Sequence, residues 1–241
     1  MERIYFISDA HLGAHSPEIE KLKITNLISF FTAIQDKADL LYIVGDLFDF
    51  WFEYRKAIPK VNLTILFKLQ QLVESGVKIN YFTGNHDLWL RGYLTEEIGV
   101  EIFREPLKTK HNTLDLYIAH GDGLAKGDRV ARILQRIFKN RLNIFLYGWL
   151  HPDIGIPLAK LISKKSKEKG ENPFDEDYRQ FALAKLHQGF DGVILGHTHK
   201  PLFEKINAKF YVNLGDWIEH FTYLELIGTH FELKTWTENE L

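Results

Sequence analysis

Cysteine is absent from this sequence of 241 residues. Without thiols there is neither a disulfide framework nor a thiolate metal site, so any bound metal requires nitrogen and oxygen ligands. The chain also lacks a run of about eighteen or more apolar residues, and a transmembrane helix is therefore not expected. The N-terminus has neither the basic leader nor the apolar stretch of an export signal. These absences predict a cytoplasmic protein.

A large excess of positive or of negative charge is also absent. The chain has 30 lysine and arginine residues against 32 aspartate and glutamate residues, which gives a formal net charge of -2. Proteins that bind nucleic acids in general usually carry a strong basic excess. We therefore expect no nucleic-acid partner, and any preference for an anionic ligand has to arise from a local site. The sequence indicates no protein partner.

Short β-rich runs alternate with helical patterns along most of the chain. Helices are predicted at 22–34 and 63–73, and the second of these ends before Gly76, as a helix stop signal requires. Strands are predicted at 3–8, 40–44, 77–83, 114–119, 191–195, 209–214, 222–227 and 230–236. This alternation predicts an α/β fold, and the length suits one domain over residues 1–241.

The pattern changes between residues 124 and 186, where helices rich in lysine and arginine replace the strands. One helix there has apolar residues on one face and basic residues on the other: Val130, Ile133, Leu134, Ile137 and Phe138 against Arg129, Arg132, Arg136 and Lys139. We interpret 124–186 as a helical insertion, or cap, and its polar segment 163–172 as a loop. A basic amphipathic helix can pack on the main domain or lie on a membrane surface, and the sequence leaves both open.

Polar groups follow five of the predicted strands. They are S-D-A-H-L with Asp9 and His11; G-D-L-F-D with Asp46 and Asp49; G-N-H-D with Asn85, His86 and Asp87; H-G-D with His120; and G-H-T-H with His197 and His199. Ligands of α/β sheets bind beyond the carboxyl ends of the strands, so these groups can converge on one pocket although they are distant in sequence. Each motif alone is typical of an ordinary turn or cap. The complete set predicts a site.

The predicted site has the ligands of a pair of divalent metal ions. Neutral imidazoles, carboxylates and an amide oxygen suit Mn, Fe or Zn, and one carboxylate can bridge two ions. Two ions about 3.5–4 Å apart activate a water molecule and hold the phosphoryl oxygens during in-line displacement. His86 could then stabilise the transition state or protonate the leaving oxygen, with Asp87 fixing its orientation. These residues predict a two-metal phosphoesterase in which His86 and Asp87 are catalytic.

The motif order D-x-H, G-D-x-x-D, G-N-H-D, H and G-H-x-H resembles that of the calcineurin-like metallophosphoesterases between Asp9 and His199. The resemblance implies a four-layer αββα sandwich in which the C-terminal strands form part of the second sheet. It implies that one metal is held by Asp9, His11, Asp46 and His199, and the other by Asp46, Asn85, His120 and His197. Asp46 would bridge, Asp49 and Asp87 would support the ligands, and the two ions would be Mn, with Fe or Zn as alternatives.

Within that superfamily the chain is similar to the UDP-2,3-diacylglucosamine hydrolases of lipid A synthesis, through G-D-L-F-D-F-W, H-G-D-G-L and the helical insertion before G-H-T-H. This similarity implies a nucleotide-linked lipid substrate, cleaved to UMP and 2,3-diacylglucosamine 1-phosphate, and peripheral contact with the inner membrane. Segment 163–169 is similar to the Ser/Lys-rich cap region of the family, which makes Ser166 and Lys167 candidate substrate contacts and Lys164 a further one. The chain departs from many members at His86, where they carry arginine.

Two other functions stay open. A hydrolase of a soluble nucleotide or phosphodiester would share the metals and lack an apolar extension of the cleft. A non-catalytic scaffold would be expected to have lost ligands or His86, and all of them are present. The aromatic run Phe50, Trp51 and Phe52 is interpreted as core rather than cleft. The histidines without motif context are interpreted as surface or structural residues: His15, His151, His187, His220 and His230.

Overall fold

The computed structural model describes residues 1–54, 56–60, 63–125, 127, 129–167 and 174–237, apart from the side chains of 129–131, 134 and 160–167. The strands of these residues are β1 (Arg3–Ile7), β2 (Leu40–Val44), β3 (Lys78–Phe82), β4 (Glu101–Phe103), β5 (Leu107–His111), β6 (Leu114–Ala119), β7 (Gly192–Leu195), β8 (Leu202–Ile206), β9 (Lys209–Asn213), β10 (Thr222–Ile227) and β11 (His230–Thr235). The helices are α1 (Pro17–Ile34), α2 (Leu63–Glu74), α3 (Arg129–Phe138), α4 (Arg141–Tyr147), α5 (Pro152–Lys167) and α6 (Asp175–His187), with a π-helical turn at Leu94–Ile98.

The strands form two sheets. The first has the order β11-β10-β1-β2-β3-β4, and the second has the order β5-β6-β7-β9-β8. Strands β1 to β4 are parallel, as are β6, β7 and β9. Parallel neighbours need a crossover connection, and α1 and α2 supply those from β1 to β2 and from β2 to β3. The carboxyl ends of β1, β2 and β3 therefore lie side by side, as do those of β6 and β7.

Three apolar clusters separate four layers. One lies between the first sheet and helices α1 and α2, one between the two sheets, and one between the second sheet and α6. Strand β2 shows the division, because Leu41 and Ile43 belong to the helix-side cluster whereas Leu40, Tyr42 and Val44 belong to the cluster between the sheets. Burial on both faces explains why this strand is a continuous apolar run. The four-layer αββα sandwich is confirmed.

The predicted strands are confirmed with small changes at their ends, and three further strands were not predicted. These are β4, β5 and β8, and each lies at an edge of its sheet. Edge strands are short and carry charged side chains that discourage pairing with other chains. In β5 the alternating residues Lys108 and Lys110 are exposed. This polarity hides the strand in the sequence.

The C-terminal strands divide between the sheets, which corrects the expectation from the resemblance. Strand β9 lies in the second sheet, whereas β10 and β11 lie in the first, where β10 pairs antiparallel with β1. The other edge of β1 is taken by β2, so β10 fills the edge that remains. Both faces of β10 are buried, with Tyr223 on the helix side and Leu224 and Leu226 between the sheets.

The predicted loop at 163–172 is wrong at its beginning, because α5 continues to Lys167. Lysine and serine are compatible with a helix, and no glycine occurs between Gly155 and Gly170 to end it. Residues 168–173 lie outside the described part of the chain. Helix α6 buries Tyr178, Ala182 and Leu186 against the second sheet, and the helical insertion over 124–186 stays a prediction. Among the described helices none is both long and apolar enough to cross a membrane.

Candidate metal centre

Five loops meet at one end of the sandwich, where the predicted polar groups follow β1, β2, β3, β6 and β7. Backbone hydrogen bonds join the loops within each sheet, from Asp9 N to Gly45 O at 3.1 Å and from Gly196 N to His120 O at 2.9 Å. A third bond crosses between the sheets, because His197 N donates to Asp9 Oδ2 at 2.8 Å. The convergence that the sequence predicted therefore occurs.

The first group of side chains comprises Asp9, His11 and His199, whose ligand atoms lie close enough to hold a metal ion. The Nε2 atoms of the two histidines are 3.2 Å apart. Asp9 Oδ1 lies 3.6 Å from His11 Nε2 and 3.5 Å from His199 Nε2. These three atoms surround one point, and they come from the loops after β1 and β7.

The second group comprises Asp46, His120 and His197, which also meet within reach of one ion. His120 Nε2 lies 3.3 Å from His197 Nδ1 and 3.3 Å from Asp46 Oδ2. Asn85 Oδ1 is another neighbour of His120 Nε2, at 3.3 Å. His120 Nδ1 donates to Val44 O at 2.9 Å, so the lone pair of a neutral ring is on Nε2 and faces the group.

Asp46 lies between the two groups. One of its oxygens, Oδ2, is 3.7 Å from His11 Nε2 and 3.3 Å from His120 Nε2. The other, Oδ1, accepts a hydrogen bond from His86 N at 2.9 Å, which fixes the plane of the carboxylate. An oxygen in this position can be shared by two ions.

The donor set fits two divalent cations. Asp9 Oδ1 is buried and has no hydrogen-bond partner among the described residues, a costly arrangement unless a cation satisfies it. Imidazole nitrogens and carboxylate and amide oxygens are ligands for Mn, Fe and Zn. The seven predicted ligands could hold the ions: Asp9, His11, Asp46, Asn85, His120, His197 and His199. His86 is a further candidate by geometry, because its ligand atom lies within reach of those of His11 and Asp46.

Burial and mutual charge set the protonation of these groups. Burial by itself would raise the pKa of Asp9 and of Asp46, but the neighbouring histidines outweigh it, and the pKa of each carboxyl is lowered. Burial, together with charge on His120, lowers the pKa of His197 to about 4. Ionised carboxylates and a neutral imidazole are the forms that bind metals.

Several ligand residues share a strained backbone. Asp9, His11, Asp46, His197 and His199 have φ between 43° and 71°, the left-handed region that non-glycine residues rarely adopt. Such residues persist where the surrounding structure determines them, and they are concentrated at functional sites. Aspartate and histidine adopt this conformation more often than most other non-glycine residues, but the motifs alone do not show which of them does so.

Glycines allow the ligand loops to approach one another. A Cβ atom on Gly84 would lie 2.0 Å from Asp46 Oδ1, and one on Gly196 would lie 2.0 Å from Ser8 Oγ and 2.7 Å from Asp9 Oδ2. None of these three distances is possible between real atoms, so only glycine fits unless the neighbouring side chains shift. The glycines of G-N-H-D and G-H-T-H are thus part of the construction of the site.

His86 lies beside the metal groups, and its ring is 4.6 Å from that of His11 between centroids. Its Nδ1 donates to Asp49 O at 3.1 Å and lies 3.4 Å from Asp49 Oδ1. The expectation that Asp87 orients this ring is wrong. Asp87 accepts hydrogen bonds from Gly84 N at 2.8 Å and from the Tyr81 hydroxyl, because the G-N-H-D turn directs its side chain back into the core.

Asp87 instead stabilises the G-N-H-D turn from the side of the core. Its side chain is fully buried, and burial together with the negative charge of Asp46 raises its pKa to about 6. The backbone N–H of Phe48 lies 3.5 Å from Asp87 Oδ2. Asp87 therefore links the loops after β2 and β3.

One carboxylate at the site was not predicted. Asp216 is buried, and its Oδ2 lies 3.8 Å from His199 Nδ1 and 2.8 Å from His220 Nδ1. Its Oδ1 accepts hydrogen bonds from the backbone N–H groups of 218–220. A carboxylate behind a metal-binding histidine fixes the orientation of the ring. The signal was available, since Asp216 follows β9 as Asp46 follows β2.

The predicted substrate contacts Lys164, Ser166 and Lys167 have their backbone in α5, and their side chains lie outside the described part of the chain. Of the aromatic run, Trp51 is fully buried in the helix-side core. Phe52 is also buried, yet its ring contacts that of Tyr147 in α4, with 4.7 Å between centroids.

Comparison with known proteins agrees with the geometry. The profile of the calcineurin-like phosphoesterases matches residues 2–201. A UDP-2,3-diacylglucosamine hydrolase of Porphyromonas gingivalis is 32% identical over an alignment of 259 positions, which covers 99% of each chain. A UDP-2,3-diacylglucosamine hydrolase of Haemophilus ducreyi is 32% identical and covers 90% of this chain and 92% of its own.

Solved structures support the fold. A novel archaeal phosphodiesterase, 15% identical, superposes with a TM-score of 0.52 over 97% of this chain and 99% of its own. At this identity the similarity concerns the fold alone. The extent of the profile match and the full-length similarity to the Porphyromonas hydrolase decide the family. The chain belongs to the calcineurin-like phosphoesterases and is a hydrolase of that family.

Proposed function

We propose that the chain hydrolyses the pyrophosphate of UDP-2,3-diacylglucosamine to UMP and 2,3-diacylglucosamine 1-phosphate. Membership of the family implies divalent metal ions, and the similarity to two hydrolases named for this substrate extends over nearly the whole chain. A substrate of this kind needs two things from the protein, a phosphoryl-transfer centre and an apolar surface for acyl chains.

The observation that carries the proposal is a groove, lined mainly by aromatic residues, that begins three residues after Asp49 in the sequence. Asp49 contacts His86, and Phe52 lines a groove of about 190 Å³ together with Glu53, Tyr54, Phe145 and Trp149. Arg91 also lines the groove, where its guanidinium lies 5.5 Å from the centroid of the Phe52 ring. Acyl chains fit apolar walls, and a guanidinium suits a phosphate at their edge.

The side chains of the centre have distinct tasks in this reaction. Two bound divalent ions would polarise a phosphoryl oxygen and activate a water molecule for in-line attack. Asp46 and the histidines around it would hold these two ions. In this proposal His86, whose ring contacts Asp49 through Nδ1, donates a proton to the leaving phosphate oxygen or stabilises its charge.

Manganese is our proposal for both ions. The set of nitrogen and oxygen donors contains no sulfur, and Mn accepts carboxylate and imidazole ligands together. Fe and Zn accept the same set. Metal analysis of protein purified without chelators, followed by reconstitution of the metal-free form with each ion, distinguishes them by the activity recovered.

The substrate assignment is tested by comparing three reactions in the presence of Mn²⁺. Release of UMP is measured from UDP-2,3-diacylglucosamine and from an unacylated UDP-sugar, and hydrolysis of a small chromogenic diester is followed by absorbance. We expect kcat/KM to be highest for the acylated substrate, with Asp46→Asn as the inactive control. Equal values for the acylated and unacylated UDP-sugars would favour a hydrolase of soluble nucleotides instead.

We also propose that α3, α4 and α5 contact the surface of a membrane. Of the sixteen large apolar side chains exposed among the described residues, nine belong to this region: Ile133, Ile137, Leu142, Phe145, Leu146, Trp149, Leu150, Ile154 and Leu158. Residues 129–167 contain nine lysine or arginine residues and one acidic residue, Asp153, although the whole chain is slightly acidic. Apolar side chains flanked by cations suit an anionic lipid surface.

Vesicle sedimentation tests this contact. Binding to vesicles that contain phosphatidylglycerol should exceed binding to neutral vesicles and should weaken with salt. Phe145→Ala should reduce it, whereas Phe67→Ala should not, because Phe67 is a similarly exposed phenylalanine on α2. If the two variants bound equally well to anionic vesicles, α4 would not be the contact.

A further inference from the structure

The first half of α1 carries a fully buried lysine. Lys23 has no exposed surface, although an ammonium group is costly to bury unless its charge is paired and its protons are bonded. Its Nζ donates to Ala10 O at 3.0 Å and to His11 O at 2.9 Å, and it lies 2.7 Å from Glu20 Oε1. His15 Nδ1 is a further neighbour, at 3.1 Å. The loop after β1 closes around this side chain.

Glu20 accepts hydrogen bonds from backbone N–H groups of the same loop. Its Oε2 accepts from Gly13 N at 2.9 Å, and its Oε1 accepts from His15 N at 3.0 Å. Glu20 and Lys23 are neighbours on one face of α1, one helical turn apart. The pair therefore satisfies donors and acceptors of the loop from the same side.

The opposite side of this loop is held by the loop after β2. His11 N donates to Asp46 O, and Leu12 N donates to Leu47 O, both at 2.9 Å. His11 is thus bonded at its N–H by one loop and at its carbonyl oxygen by Lys23. Its φ is 43°, a left-handed conformation that persists only where surrounding contacts impose it.

We propose that Lys23 is a positioning residue of the metal centre. By binding the carbonyl oxygens of Ala10 and His11, it holds the His11 ring in the group with Asp9 and His199. The proposal rests on the metal ligands assigned above. Asn85, His120 and His197 follow other strands, so the ion that they would hold depends less on this contact. Loss of Lys23 should therefore lower the binding affinity of the two ions by unequal amounts.

Binding of Mn²⁺ to metal-free protein tests this inequality. Wild type, Lys23→Met and Asn26→Leu are compared by titration calorimetry, and electron paramagnetic resonance distinguishes a coupled pair of Mn²⁺ ions from a single one. Asn26 is the matched control because it is buried on the same helix and donates to Leu22 O within that helix. We expect Lys23→Met to bind one ion about tenfold or more weakly and the other with nearly unchanged affinity. Asn26→Leu should leave both affinities as in wild type.

A chemical rescue separates the ammonium group from the volume of the side chain. Since the chain has no cysteine, Lys23→Cys introduces its single thiol, which can be alkylated in denaturant before refolding. Alkylation with bromoethylamine restores an ammonium group on a side chain of similar length, whereas alkylation with a propyl halide gives a neutral counterpart. The first product should restore the affinity for the ion whose binding was weakened, and the second product should not.

The outcomes distinguish this role from a general one. The proposal would be overturned if the affinity for both ions fell equally, if neither affinity changed, or if the neutral product restored the lost affinity. If Lys23→Met does not fold, Glu20→Gln supports the same comparison, because it removes the charge partner of Lys23 and keeps an acceptor for the loop. Wild type that bound no Mn²⁺ would contradict the metal assignment itself, which separates that failure from a failure of the role of Lys23.

Discussion

The loops at the end of the sandwich and the helices α3 to α5 use charge and apolar surface in opposite ways. In these loops the charged side chains of Asp9 and Asp46 are buried, and so is that of Lys23 on the adjoining helix α1. On the helices, large apolar side chains such as Phe145 and Leu146 face solvent. Burial of charge is costly and is concentrated where chemistry requires it, whereas exposed apolar patches mark contact surfaces.

Under the proposed function, the loops would carry out the bond-breaking chemistry and the helices would recognise the lipid. A variant in the loops should then lower hydrolysis of every substrate by a similar factor. A variant on the helices should lower hydrolysis of the acylated substrate alone. The predictions for Asp46 and Lys167 below compare the acylated UDP-sugar with a small diester.

The largest effect is expected for Asp46→Asn. Its Oδ2 lies beside histidines of both metal groups, so loss of its charge weakens both ions at once. We expect kcat/KM to fall about a thousandfold or more for both substrates, with metal content reduced in the purified protein. Asp36→Asn, an exposed carboxylate after α1, is the control. Ordinary turnover with two tightly bound ions would contradict a bridging role.

His86→Gln should separate metal binding from turnover. The residue lies beside His11 and Asp46 but is assigned to charge or proton transfer at the leaving oxygen. We expect full metal occupancy and a loss of about a hundredfold in kcat, which is within the range for general acid catalysis. Activity is measured at saturating substrate, and metal is measured in the same sample. A loss of metal in parallel with activity would make His86 a ligand instead.

Much of this site could be predicted because its chemistry restricts residue types and positions. Ligands for two ions must come from loops at the carboxyl ends of parallel strands, so Asp9, Asp46 and His120 were found from the runs that precede them. The fold followed from the same runs. Strands β4, β5 and β8 did not, since they are short edge strands and, in β5, the alternating lysines resemble a surface loop.

The supporting residues could not be predicted in the same way. Asp49 and Asp87 both follow β-like runs, and only the path of the G-N-H-D turn decides which of them meets His86. Lysine is a residue type that is seldom fully buried, and the burial of Lys23 depends on where the loop after β1 folds. These choices arise from tertiary contacts that a local pattern does not contain.

Gly196→Ala should damage the loops without removing any ligand. The added Cβ would lie 2.0 Å from Ser8 Oγ and 2.7 Å from Asp9 Oδ2, so β7 or Asp9 must move. We expect a loss of about 1–3 kcal/mol in the free energy of unfolding and weaker Mn²⁺ binding. Gly76→Ala is the control, because its position has a positive φ of 100° and open space around the missing side chain. It should lower stability and leave metal binding unchanged.

The smallest effect is expected on the helices, for Lys167→Ala. Lys167 is the last residue of α5, in the Ser/Lys-rich segment that we propose contacts the substrate. A charge-assisted hydrogen bond to a phosphate or sugar oxygen contributes about 1.5–3 kcal/mol, so its loss should lower kcat/KM for the acylated UDP-sugar roughly tenfold or more. A small diester does not extend to α5, and its hydrolysis should be unchanged. Lys37→Ala, at an exposed position after α1, should affect neither substrate. Equal losses for both substrates would mean that Lys167 acts through the fold or the metals, and the separation between loops and helices would then fail at this residue.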